Sequence, residues 1–208
     1  MKYFTKEWYG LSQKTSFHLL LEEDGNAGTF SEEYYRQVYR RELSKWLELQ
    51  EEVHSMLRRP FDSDAAAADF HERHIRQINY YQGVLPEWIQ RLIADIRVFA
   101  FHKATRSVID AVTRYCKDNE QAVDAAGENY RKYIEHAKTA IGEEIVNHFS
   151  FHDCRIVQHM MNGSALRLLL DCSGGFTKIN EVEFRDVQIL RKDGALENSV
   201  WLYEEIYK

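Results

Sequence analysis

His152 and Asp153 stand side by side, and an imidazole next to a carboxylate is the pairing in this sequence best suited to bond-breaking chemistry. Metal-dependent phosphohydrolases use such a doublet together with a further His and Asp. There it sits on a helix, so that neighbours three or four positions away complete the ligand set. Here it falls where helical spacing gives way to strand alternation, and an aspartate at such a junction more often caps or forms a turn. His71-x-x-His74 sets two imidazoles on one helical face, a spacing zinc uses. Glu72 between them points elsewhere and no HExxH is formed. The flanking Asp69, Glu72, Arg73 and Arg76 read as a solvated face. Glu51-x-x-His54 matches one half of a di-iron carboxylate site, but no second Glu-x-x-His accompanies it. Cys154, close to His152, reads as a small buried hydrophobe rather than a nucleophile. Ser173-Gly174-Gly175 lacks the lysine and helix of a phosphate loop, and no Gly-x-Ser-x-Gly elbow is present.

Catalysis by a metal or a nucleophile needs three or more groups converging on one point, and the sequence offers doublets. Binding needs less. In the closing stretch Trp201, Tyr203, Glu205 and Tyr207 alternate with Leu202, Glu204 and Ile206. Tryptophan and tyrosine are enriched in the centres of interfaces, so the Trp201–Tyr207 face is the candidate partner surface. A last strand sandwiched between sheet and helices is the alternative. These residues read as a non-enzymatic intracellular interaction protein without a cofactor, its partner another protein. A metal-dependent hydrolase using His152 and Asp153 is the rival.

Charge narrows the partners. Up to His152 there are 20 basic and 24 acidic residues, and beyond it 7 and 9. Neither half has the basic excess that phosphate backbones demand, which disfavours nucleic acid. The opening residues contain no apolar run of the signal-peptide kind. No stretch approaches the roughly 18 apolar residues that span a bilayer. The three cysteines, Cys116, Cys154 and Cys172, are odd in number and form no CxxC pair. Free thiols in a reducing cytoplasm are the simplest expectation.

Two regimes of hydrophobic spacing organise the chain. Helical spacing predicts a first helix from Thr5 to about Glu22. A second opens at Ser31 and ends before Pro60, and a third runs from Ser63 or Asp64 to about Tyr81. The cleanest apolar stripe, from Ile89 to Tyr115, predicts a central helix. Lys117-Asp118-Asn119 predicts a turn before a fifth helix to about Ala140, and Glu143–His148 a short final one. From Phe151 the period falls to two. Leu166, Leu168 and Leu170 alternate with Arg167, Leu169 and Asp171, and Val182 and Phe184 alternate with glutamates. Val200–Tyr207 reads as the last strand. The fold class is therefore α+β, an N-terminal helical bundle over 1–150 followed by a small antiparallel β-sheet over 151–208, separate or packed as one domain.

Asn162-Gly163 predicts a hairpin whose register stays open. A two-residue turn pairs Met161 with Ser164 and puts Arg155 on the face of Leu170. A three-residue turn, or a bulge of the same effect, puts Cys154, Ile156 and Met160 inside with Leu166, Leu168 and Leu170. Burial favours the second, with Ile156 inside and Arg155 outside, and Cys154 and Cys172 are then close neighbours.

The opening Met1–Tyr9, the internal Ile93-Ala94-Asp95-Ile96-Arg97 and the closing Leu202–Tyr207 resemble an uncharacterised bacterial family catalogued as a domain of unknown function, DUF4085. The resemblance spans essentially the whole chain and implies no activity, ligand or catalytic residue. The β part, with His-Asp leading into a hairpin and an aromatic-acidic end, is similar in general pattern to small bacterial toxin-immunity domains.

Overall fold

Helix caps legible in the sequence set most of the helix starts. In the computed structural model, which describes residues 1–207, the Ser31 hydroxyl accepts the Tyr34 N–H at 3.2 Å and opens α2, Glu32–Met56. Thr5 caps α1, Lys6–Ser12, by accepting the Trp8 N–H at 3.2 Å. Asp62, one residue before the expected start, caps α3, Ser63–Val84, with its carboxylate on the N–H groups of Asp64 and Ala65. The fold is α+β: long helices as far as His148, then a three-stranded antiparallel sheet. The chain divides into two compact units, Gly10–Gln121, and Met1–Tyr9 with Ala122 to the C-terminus.

In the unit of residues 10–121 the expected central helix is broken into pieces. Ile89–Tyr115 holds parts of α4, Glu87–Gln90, and α6, Arg106–Ile141, with α5, Ile96–Phe99, and strand β2, Lys103–Ala104, between them. Asp95 is the cause: extended and buried, it uses its carboxylate to cap a new helix on the Arg97 N–H at 2.9 Å. His102, with φ +63°, turns the chain again. Short turns satisfy the three-to-four spacing as well as one long helix does. Ile89, Phe99, Ala100, Ala104, Val108 and Val112 all reach one core with Phe17, Tyr81, Leu85 and Cys116. The first helix also stops early, at Ser12, and gives way to a 3-10 turn, Phe17–Leu20, and strand β1, Glu22–Glu23. The two-residue β1 pairs in parallel with β2, so short strands occur before Phe151 as well. The expected turn at Lys117–Asn119 is absent. α6 runs through it, because the buried Asn119 side chain donates to the Lys14 carbonyl at 3.1 Å instead of bonding its own backbone.

The other unit carries α7, Glu143–His148, and strands β3, Arg155–Asn162, β4, Ala165–Asp171, and β5, Glu181–Phe184, in the order β3-β4-β5. Asn162 pairs with Ala165, so the turn is Gly163-Ser164, with Gly163 at φ +60°. The turn is neither the two-residue Asn162-Gly163 turn nor the three-residue one, and the inward face comes from a bulge, the other form of the favoured register. A bulge at Val157 compensates: Ile156 pairs with Leu170 and Gln158 with Leu169, leaving Val157 unpaired. Cys154, Ile156, Leu166, Leu168 and Leu170 are consequently buried together while Arg155 is exposed. Met160, expected inside, lies beyond the bulge, pairs with Arg167 and is exposed.

The expected last strand, Val200–Tyr207, does not form as such. Residues 198–201 bond to the start of β3, with Asn198 N–H on the Ile156 carbonyl and Trp201 N–H on the Cys154 carbonyl, both at 2.8 Å. Beyond Trp201 the ladder has no partner, because Asp153, at φ +63°, has already turned the neighbouring chain away.

Candidate functional site

The unit containing the β-sheet brings His152, Asp153 and the C-terminal segment together. Phe151–Cys154 is a tight turn closed by the Cys154 N–H on the Phe151 carbonyl at 2.9 Å. The His-Asp doublet therefore sits on a turn. His152 Nδ1 lies 3.9 Å from Asp153 Oδ1, beyond hydrogen-bond reach, and is buried without a hydrogen-bond partner. The His152 ring stacks on Tyr203 at 5.2 Å. Among the described residues no three His, Cys, Asp or Glu side chains are grouped as a metal ion would require.

The other doublets resolve differently. His74 lies within an aromatic layer of the unit 10–121, stacked on Phe101 at 3.9 Å. It is 4 % exposed, so the solvated-face reading fails for this position. Burial pushes its pKa down to about 4. His71 Nδ1 faces the Tyr39 hydroxyl at 3.3 Å, and His54 Nδ1 donates to the Pro60 carbonyl at 2.8 Å.

Each residue of the proposed partner face has its own surroundings. Trp201 packs on Phe151 at 4.9 Å and Phe149 at 6.0 Å, against the sheet core. Tyr203 meets Trp8 edge-on at 4.8 Å and Phe4 at 5.7 Å. The Glu205 carboxylate accepts the N–H groups of Lys2 at 2.7 Å, Tyr3 at 2.8 Å and Phe4, three successive donors forming a nest around one anion. Tyr207 donates its hydroxyl to Glu205 and packs on Tyr133 at 5.5 Å.

Strict alternation would place Glu204 opposite these residues, on an apolar face. It is largely buried, and its Oε2 has no hydrogen-bond partner. Burial raises its pKa, against the opposing pull of the Phe151 backbone, Trp201, Ser150 and His152. Sequence reading passed over Glu204. The available signal was a carboxylate at an apolar position of the Leu202–Ile206 alternation.

An open groove of about 770 Å³ runs beside the same segment, lined by Met1, Phe4, Tyr9, Val200, Leu202 and Tyr203, with Lys6, Arg191 and Asp193 also contributing. Val200 is 50 % exposed and Met1 64 %. The Lys6 ammonium and the Asp193 carboxylate pair at 3.0 Å, both well exposed.

The family described as Protein of unknown function (DUF4085) matches residues 29–208. The chain belongs to this family. Two of the three DUF4085-like segments, Ile93–Arg97 and Leu202–Tyr207, fall within the match, and Met1–Tyr9 precedes it. Both have local structural work. Asp95 caps α5 and pairs with the Arg97 guanidinium at 2.8 Å, and Arg97 in turn covers the Tyr35 ring at 4.1 Å. No curated protein and no solved structure matches the chain. No helix among the described residues is long and apolar enough to cross a membrane.

Proposed function

We propose that this DUF4085 protein is a non-enzymatic binding protein of the bacterial cytoplasm that captures another protein in an immunity-like manner, through the surface built around its C-terminal segment. The observation that supports the reading is the open apolar groove beside Val200, Leu202 and Tyr203, with charged Lys6, Arg191 and Asp193 at hand. Apolar surface with a polar surround is the usual anatomy of a protein interface. The acidic balance disfavours nucleic acid as the partner. Trp201 and Glu205 support this surface from within, while Tyr203 and the exposed Tyr207 ring are the candidates for direct contact.

The test is capture from the native host with the full chain and a Leu202→Glu variant of unchanged circular dichroism. A partner retained by the wild type and lost by the variant is the expected result. Equal capture by both would sink the groove as the binding surface.

A metal-dependent hydrolase at His152 and Asp153 is the second reading. The unpartnered His152 Nδ1 favours it, being a free ligand nitrogen 3.9 Å from a carboxylate. Elemental analysis of purified protein separates the two: stoichiometric metal that disappears in His152→Ala supports the hydrolase.

A further inference from the structure

A second, smaller cavity of about 240 Å³ lies along the C-terminal segment, bordered by Phe4, Tyr130, Phe149, Tyr203, Ser150 and Glu204 together with three aliphatic side chains. Four of its nine lining residues are aromatic and three aliphatic. Phe4 stands edge-on to Tyr130 at 5.0 Å and tilted to Tyr203 at 5.7 Å. The charged group is the Glu204 carboxylate, whose Oε2 is buried and accepts no hydrogen bond. An unpaired carboxylate oxygen out of water is costly unless a cation answers it.

Each class of ligand can be weighed against that lining. Aromatic faces carry negative charge density and repel anions, as does the carboxylate. A neutral apolar molecule would fill the space but leave Glu204 Oε2 unpaired. A cation is attracted by both the rings and the carboxylate.

We propose that this cavity binds a small organic cation bearing a quaternary, trimethylammonium head. A primary ammonium brings three N–H donors, which all need acceptors. Glu204 has an unpartnered oxygen and the Ser150 hydroxyl can accept, while the Tyr130 hydroxyl has part of its acceptor capacity taken by the Ile206 N–H at 3.2 Å. A trimethylammonium group has no donors to satisfy and presents methyl groups to the rings. The volume suits a head group of that size, lying below the roughly 300–1,000 Å³ of drug-sized pockets. Burial holds the Glu204 pKa up against the pull of its neighbours, and a bound cation would draw it further down. Phe4 and Tyr203 border both this cavity and the partner groove, whereas neither Glu204 nor Tyr130 lines that groove.

Isothermal titration of the full chain tests the proposal with choline and its neutral carbon isostere, in which a tert-butyl group replaces the trimethylammonium. Choline is expected to bind roughly tenfold or more tightly than the isostere, and methylammonium to bind more weakly than choline. Parallel titrations with a trimethyllysine amide and with phosphatidylcholine vesicles identify whether the head group comes from a free metabolite, a modified side chain or a lipid. Glu204→Gln keeps the size and removes the charge, and should weaken choline by about tenfold or more. Equal affinity for choline and its isostere overturns the proposal, as does no binding of any trimethylammonium probe. Unchanged choline affinity in a folded Glu204→Gln variant overturns it too. Should that variant not fold, the isostere comparison on the wild-type chain still decides.

Discussion

Glu205 accepts the backbone N–H of Tyr3 at 2.8 Å, joining positions 202 residues apart. The same carboxylate takes the N–H groups of Lys2 and Phe4, so the segment around Glu205 anchors the one around Tyr3. Glu205→Ala should strip three donors of their shared acceptor and lower stability by about 1–2 kcal/mol, part of the contact being exposed. Urea denaturation measures that loss, and hydrogen exchange should show the Tyr3 and Phe4 amides losing protection. Glu205→Gln keeps an acceptor oxygen and should lose less.

His74 makes the unit of residues 10–121 acid-sensitive. Its pKa is pushed from 6.5 down to about 4, first by burial and then by His71 and Arg97, with Asp95 opposing. Well above pH 6.5 neither the folded nor the unfolded imidazole is charged, and the site contributes no pH dependence. As pH falls from 6.5 to about 4 the unfolded chain takes up a proton that the folded chain refuses, and stability is lost through that window. The loss is at most about 3 kcal/mol. His74→Phe should flatten the stability profile between about pH 4 and pH 7. An unchanged slope would show that other groups carry it.

Gly175 leaves no room for a side chain. A Cβ there would lie 2.6 Å from Cys154 Sγ and 2.8 Å from the His152 carbonyl oxygen. Gly175→Ala should cost about 1–3 kcal/mol through overpacking, seen as a lower melting temperature. Adding Cys154→Ala removes the sulfur clash but not the backbone one, so the double variant should recover only part of the loss.

Cys154 and Cys172 sit next to each other, one step beyond the Arg155–Asp171 pair of the β3–β4 ladder, and all three cysteines are free. Burial and the contact with Cys172 push the Cys154 thiol up to about 11. The more exposed Cys172 should therefore react first with glutathione disulfide, releasing one glutathione. Cys154 then displaces the second and closes an intramolecular disulfide. Mass spectrometry should find the mixed disulfide at Cys172 in a Cys154→Ser variant. Modification of Cys116 instead would contradict this order.

Some of this was set by neighbouring residues and readable from them. Ser31 followed by two glutamates started α2 where expected, and the alternation of Leu166, Leu168 and Leu170 gave a strand with those side chains inside. Such signals act over a turn or a ladder step, so the sequence carries them whole. The stripe from Ile89 to Tyr115 misled because apolar spacing of three and four suits one long helix or several short turns. The choice fell to Asp95, buried against Arg97 and free to cap a new helix. The same holds at Asn119, whose bond to Lys14 removed an expected turn. Val157 restored the inward face of Ile156 by a bulge that only pairing with β4 could place. The candidate sites are of this second kind. The unpartnered oxygen of Glu204 and its aromatic surround come from Phe4, Tyr130, Phe149 and Tyr203, positions up to about 200 apart. Burial is a property of what packs around a residue, and no spacing along the chain records it.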